Sequence, residues 1–163
     1  MRFNAYGTAM TTLTRQIPTT PEHLWELWTT AAGIARWWAP DGFRADVTRI
    51  DVREGGELEY TMTAVDPAQV AFMEEHGLPL TTTSRKRFTD VDAPARLGYV
   101  SLIDFVPGRE PYDHLTTVEL TASDGGTLVT MAMDDLHDAE WTGRLVAGRG
   151  NELDNLLALV AGG

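Results

Sequence analysis

The plainest regularity in the chain is the alternation over residues 57 to 64, where Leu58, Tyr60, Met62 and Ala64 interleave with Glu57, Glu59, Thr61 and Thr63. Period-two alternation puts the two sets on opposite faces of a strand, so Leu58, Tyr60 and Met62 are expected on an inner face. Weaker forms of the pattern predict strands at 44–52, 84–91, 96–106, 114–122 and 126–133. Turn residues separate them: Arg53-Glu54-Gly55-Gly56, Asp92-Ala93-Pro94, Pro107-Gly108 and Asp124-Gly125-Gly126. Short links between alternating strands predict an antiparallel meander with one wetted face. A further strand-like stretch, residues 3–17, ends at Pro18.

Helical spacing brackets this sheet. Leu24, Leu27, Trp28 and Ala31 fall at i, i+3, i+4 and i+7, preceded by a capping-box spacing of Thr19 and Glu22 with Pro21 in the first turn. Gly33 is expected to interrupt this helix, and a second short piece is expected from Ile34 to Trp38 before the turn Pro40-Asp41-Gly42. Residues 67–76 have helical composition and stop at Gly77, which predicts an inserted helix displaying Val70, Phe72 and Met73. From about His137 to Val160, the spacing of Trp141, Leu145, Val146, Leu153, Leu156, Leu157 and Val160 predicts a long closing helix weakened at Gly148 and Gly150. No repeat or Pro/Gly/Ser linker divides the chain, so one α+β domain over residues 1–163, with a helical insertion at about 67–80, is expected.

Composition narrows the function. A chain of 163 residues, 43% of them hydrophobic, can bury a core and still enclose a cavity. With no cysteine there are no disulfides, thiolate metal sites or cysteine nucleophiles. A net charge of −11 opposes nucleic acid and anionic membranes as partners. The start has no signal-peptide core and no later run is apolar enough to span a bilayer, so a cytoplasmic protein is expected. Nothing in the composition decides against a homodimer.

Six short motifs stand in order along the chain: Pro21-x-x-Leu24-Trp25, Trp37-Trp38-x-Pro40, Asp51-x-Arg53-x-Gly55-Gly56, Ala93-Pro94-x-Arg96-Leu97, Gly126-Thr127-x-Val129 and Gly148-x-x-x-x-Leu153-Asp154-x-Leu156. In order and spacing they resemble the AHSA1-like branch of the START-like (SRPBCC) superfamily, over nearly the whole chain. The resemblance implies a helix-grip fold, a curved antiparallel sheet wrapped around a long carboxy-terminal helix, with a pocket for a mostly apolar small molecule. Proteins of this kind range from lipid carriers to polyketide cyclases, drug-sequestering proteins and a chaperone-stimulating domain, so the fold alone leaves the reaction open. The chain departs from the pattern at Arg149, where the closing helix usually has Trp, and in the lengthened connection around Pro67 to Thr83.

The candidate ligand contacts are Trp37, Trp38, Tyr60, Met62, Phe72, Met73, Phe88, Met131 and Trp141. Large aromatics carry core burial, so Trp37 and Trp38 are read first as plugging the base of the domain and second as a stacking surface. Met62 and Met131 suit either a core or an adaptable apolar pocket, and a buried Tyr60 hydroxyl could anchor a ligand oxygen. Phe72 and Met73 are read as contacts on a lid, with a structural cover as the equal alternative. Lys86 shares its strand face with Phe88 and so points inward, where a desolvated amine could act as a base or anion anchor; the blander expectation is that it reaches water at the strand entrance. Asp113-His114 is an acid–base candidate whose default reading is a solvated strand start. The scattered histidines, and an acidic run at 134–140 without Ca-loop spacing, predict no metal, and no glycine-rich turn opens a helix to cradle a cofactor phosphate.

These features predict binding or carriage of a small hydrophobic molecule, with aromatic ones included. The enzymatic alternative, a lyase or cyclase acting through Lys86, Tyr60 or Asp104, requires at least two of these side chains to converge in one cavity. A co-regulator of an Hsp90-type chaperone is a third, less favoured reading. The eukaryotic co-chaperone carries an additional amino-terminal domain, for which this chain is expected to lack room.

Overall fold

The first helix begins one residue later than the capping-box spacing suggests. Thr20 is the cap, its hydroxyl oxygen accepting from the His23 amide at 3.1 Å, with Pro21 in the first turn. Thr19 instead accepts, through its carbonyl, a bond from the Thr127 hydroxyl at 2.7 Å. Helix α1 (Pro21–Thr29) then breaks at Thr30, not at Gly33. The Thr30 hydroxyl donates to the Glu26 carbonyl at 2.8 Å and accepts from the Gly33 amide at 3.0 Å, ending α1 and capping α2 (Ala31–Trp37). Gly33 lies inside α2, where a Cβ would come within 2.6 Å of the Glu26 carbonyl oxygen and 2.7 Å of the Leu27 Cα. The glycine is there because two consecutive helices touch, not because a helix stops.

The computed structural model describes residues 2–3, 9–104 and 106–162; parts of the expected strands over 3–17 and 96–106 lie outside them. The strands are β1 (Arg2–Phe3), β2 (Ala9–Ile17), β3 (Phe43–Ile50), β4 (Glu57–Ala64), β5 (Thr81–Asp92), β6 (Arg96–Ile103), β7 (Tyr112–Ser123) and β8 (Gly126–Asp134). Two further helices are α3 (Pro67–Glu75) and α4 (Ala139–Gly162). Among the described residues these strands make one sheet in the order β1-β2-β8-β7-β6-β5-β4-β3, antiparallel at every pairing. Strands β3 to β8 form the expected meander, and the early strand β2 closes it against the late strand β8. No helix among the described residues is long and apolar enough to cross a membrane.

The alternation does what the pattern predicts. In β8, Thr127, Val129, Met131 and Met133 are buried, and in β7, His114, Thr116, Val118 and Leu120 are buried. Helix α4 lies against this curved inner face and buries Leu153 and Leu156, which gives the α+β helix-grip architecture. At the other end of the core, Trp28, Trp37 and Trp38 pack edge to face, with centroids 4.7 and 5.2 Å apart, and Trp38 reaches Tyr60 and Tyr99 at 6.0 and 6.1 Å. Trp37 also donates its indole N–H to the Leu27 carbonyl at 2.8 Å, which binds α2 to α1.

Two glycine substitutions separate these constraints. Gly33→Ala drives a methyl into the α1 backbone and is expected to cost about 1–3 kcal/mol. Gly148→Ala, on the exposed side of α4 with open space around the new Cβ, is expected to stabilise by about 0.5–1 kcal/mol. Urea unfolding of the two variants checks both, and the same sign for both would contradict this account.

Candidate functional site

Register decides which inward-facing residues are neighbours. Leu58, Lys86, Ser101 and His114 pair in succession across β4, β5, β6 and β7. The adjoining inner residues Phe88, Tyr99, Thr116 and Met133 pair likewise across β5 to β8 and are buried. One row of the concave face is therefore core, and the row beside it is polar. Lys86 is 6% exposed and His114 is 2% exposed, so neither reaches water in the way the blander expectation for each required.

Helix α4 roofs the polar row. Trp141, Leu145, Arg149 and Leu153 recur at four-residue spacing and so share one helix face. Leu153 enters the core, whereas Trp141, Leu145 and Arg149 line a cavity of about 910 Å³ between the helix and the sheet. Tyr60, Ser84, Lys86, Ser101, Asp104 and His114 line it from the sheet side, together with Leu136 and Ile103. A separate groove of about 750 Å³ beside the start of α4 has Ala9, Leu136, Gly143 and Val146 in its wall and lacks buried cations. Among the described residues no cluster of three His, Asp or Glu side chains is placed to hold a metal ion.

The cavity's polar groups are held in defined states. Lys86 Nζ donates to Ser101 Oγ at 2.7 Å and lies 5.5 Å from the centre of the Tyr99 ring. Burial, seconded by repulsion from Arg149 and opposed by Glu152, pulls the Lys86 amine down to about 7. Burial also raises the Tyr60 and Tyr99 phenols, which stay protonated, and lowers His114. The His114 Nε2 lies 2.6 Å from the Asp134 carbonyl oxygen. Because a carbonyl only accepts, Nε2 carries the proton and Nδ1 is left as an acceptor. Arg149 donates through Nη1 to Glu152 at 2.6 Å, with the two side chains 16% and 15% exposed. Burial pushes the Glu152 carboxyl up, and Arg149 pulls it back.

Of the residues read from the sequence, Tyr60, Lys86, Asp104 and Trp141 line this one cavity, with Asp104 on its exposed rim. Trp37, Trp38, Phe88 and Met131 lie in the core behind it, each at most 3% exposed, and Met62 packs partly buried against that core. Trp38 touches Tyr60, so the tryptophans support the cavity wall without facing the cavity. Phe72 and Met73 are on α3, which buries no residue; Phe72 is 49% exposed, and the cavity lining passes from Tyr60 directly to Thr82. The inserted segment contributes no side chain to the cavity, and its start is tied to the turn before β3 by bonds from the Val65 and Asp66 amides to the Gly42 carbonyl. Sequence reading missed Ser101 and Glu152, took His114 by default as solvated, and noted Arg149 only as a departure. Period two from Val118 and Leu120 leads back to His114, and a four-residue step from Leu153 leads back to Arg149.

Residues 18–161 match the family described as Activator of Hsp90 ATPase homolog 1-like protein. No curated protein matches the sequence. Among solved structures, the chain is similar to a protein of Chromobacterium violaceum at 22% identity and a TM-score of 0.73, covering 93% of this chain and 96% of that one. It is also similar to an AHSA1-like protein of Aeromonas hydrophila at 24% identity and a TM-score of 0.72, covering 94% and 93%. A Mycobacterium smegmatis protein is similar at 19% identity and a TM-score of 0.71, covering 99% and 96%.

The depressed Lys86 sets the sign of a stability test. An unfolded lysine holds its proton up to a pKa of about 10.4, so between pH 7 and that value the unfolded chain binds more protons and stability rises with pH. Lys86→Met removes the penalty and is expected to stabilise the protein at pH 7 by roughly 1–4 kcal/mol, with the gain shrinking toward pH 10. Urea unfolding at pH 7 and 9.5 checks this. A variant less stable at both values would mean that Lys86 is not a buried cost.

Proposed function

The chain belongs to the Activator of Hsp90 ATPase homolog 1-like family, and on that premise we propose that it binds or carries a small, largely apolar molecule, aromatic ones included, between α4 and the sheet. The cavity of about 910 Å³ carries this reading, since it combines an apolar wall of Trp141, Leu145, Leu136 and Ile103 with a few convergent polar groups. The apolar wall would hold the body of the ligand, and Lys86, Ser101, Tyr60 and Arg149 would orient its polar end. Native mass spectrometry after incubation with a metabolite extract tests it. Wild type is expected to retain a ligand that Leu145→Trp, filling the cavity, does not. A bare wild-type spectrum with no thermal stabilisation by the extract would count against the reading.

Convergence of Tyr60, Lys86 and Asp104 on one cavity favours a second reading, a lyase or cyclase. With an amine near pH 7 as base and a protonated phenol as donor, the site has both halves of a proton transfer. This reading expects the retained molecule to change mass or isomeric form on incubation with wild type but not with Lys86→Met; identical recovery from both would leave binding alone. Co-regulation of a chaperone, which the family's name suggests, would act through the outer surface. It is tested by whether the protein accelerates ATP hydrolysis by an Hsp90-type chaperone, and no feature of the cavity calls for it.

A further inference from the structure

The donors of the cavity outnumber its acceptors. A charged Lys86 has three N–H groups, of which Ser101 takes one. Arg149 spends Nη1 on Glu152, while its Nε–H is buried with no partner, an arrangement that is costly for a cationic donor. The charges are unbalanced in the same direction. Lys86 and Arg149 repel each other, and Glu152 offsets only one of them. The other groups facing Lys86 supply no second anion: His114 on β7 is pulled toward its neutral form, and Tyr60 on β4 and Tyr99 on β6 keep their protons. Asp104 stands on the exposed rim, and Arg85 and Arg144 at the mouth, their side chains 72% and 63% exposed, are each paired with a carboxylate of their own, Glu59 and Glu140, so the imbalance lies in the buried groups.

We propose that the cavity selects organic monoanions, carboxylic acids with an apolar body, whose carboxylate is received by Lys86 and the free Nε–H of Arg149. The inference rests on the binding reading above and names the class of ligand. One carboxylate neutralises the one unbalanced charge and supplies acceptors to both cations. A dianion such as a phosphate monoester would exceed that charge and bring the excess into a poorly solvated space. A neutral apolar molecule would leave the Arg149 donor as it is.

Isothermal titration calorimetry with a matched pair of probes, 2-naphthoate and the neutral 2-naphthalenemethanol, tests the proposal. At pH 6 the carboxylate is expected to bind roughly tenfold or more tightly than the alcohol. At pH 8, where free Lys86 is largely deprotonated, naphthoate binding is expected to take up close to one proton, read from buffers of different ionisation enthalpy. Lys86→Met should lose both the preference and the proton uptake while still binding the alcohol. If that variant does not fold, proton uptake by wild type decides alone. Equal or tighter binding of the alcohol to wild type, or carboxylate binding without proton uptake, overturns the inference and leaves the binding reading standing. Failure of both probes to bind overturns both.

Discussion

A lysine ammonium buried on the inner face of a sheet is unfavourable until a negative charge meets it, and this sheet offers Lys86 a serine hydroxyl instead. Its neighbours have adjusted to that fact. The amine titrates near neutrality, the Tyr99 ring faces it, and Glu152 of the roof is engaged by a second cation, Arg149. Ordinary core packing would replace Lys86 with an apolar residue of similar volume and gain stability. That the sheet holds an amine there marks this row as a place where stability and chemistry pull in opposite directions.

The geometry that makes this tolerable comes from the helix overhead. Leu153 and Leu156 reach the sheet and close the core, but one and two turns earlier the same helix face carries Arg149 and Leu145 over the cavity. The aromatic cluster of Trp28, Trp37, Trp38, Tyr60 and Tyr99 fixes the opposite wall, so the concave face is firm at both ends of the polar row. Rigid walls keep the donors apart from one another and prevent them from collapsing together, which is what a preorganised site requires.

Much of this was legible in the chain because period two and period 3.6 are local properties. The strand β4 and the inward direction of Lys86 follow from a few adjacent residues, and the long final helix follows from its leucines. The misses had three causes. Thr20 rather than Thr19 caps α1, and Thr30 rather than Gly33 parts the helices, because a threonine hydroxyl can serve either neighbour and only the path of the chain chooses between them. The polar row was missed for a different reason: Lys86, Ser101 and His114 come from three strands, and their alignment is a matter of register, which no single strand contains. The lid expected at the inserted segment rested on two hydrophobic side chains, and exposed hydrophobic residues are common on protein surfaces.

Arg149 is flanked in α4 by Gly148 and Gly150, and a Cβ at Gly148 would have open space around it. Each glycine weakens a helix by about 1 kcal/mol relative to alanine. The backbone of the roof is therefore least committed to its helical form on the very turn that carries the cation. Local unfolding draws on the segments of lowest stability, so the turn around residue 149 is the part of the roof whose helix costs least to loosen, as far as its backbone decides.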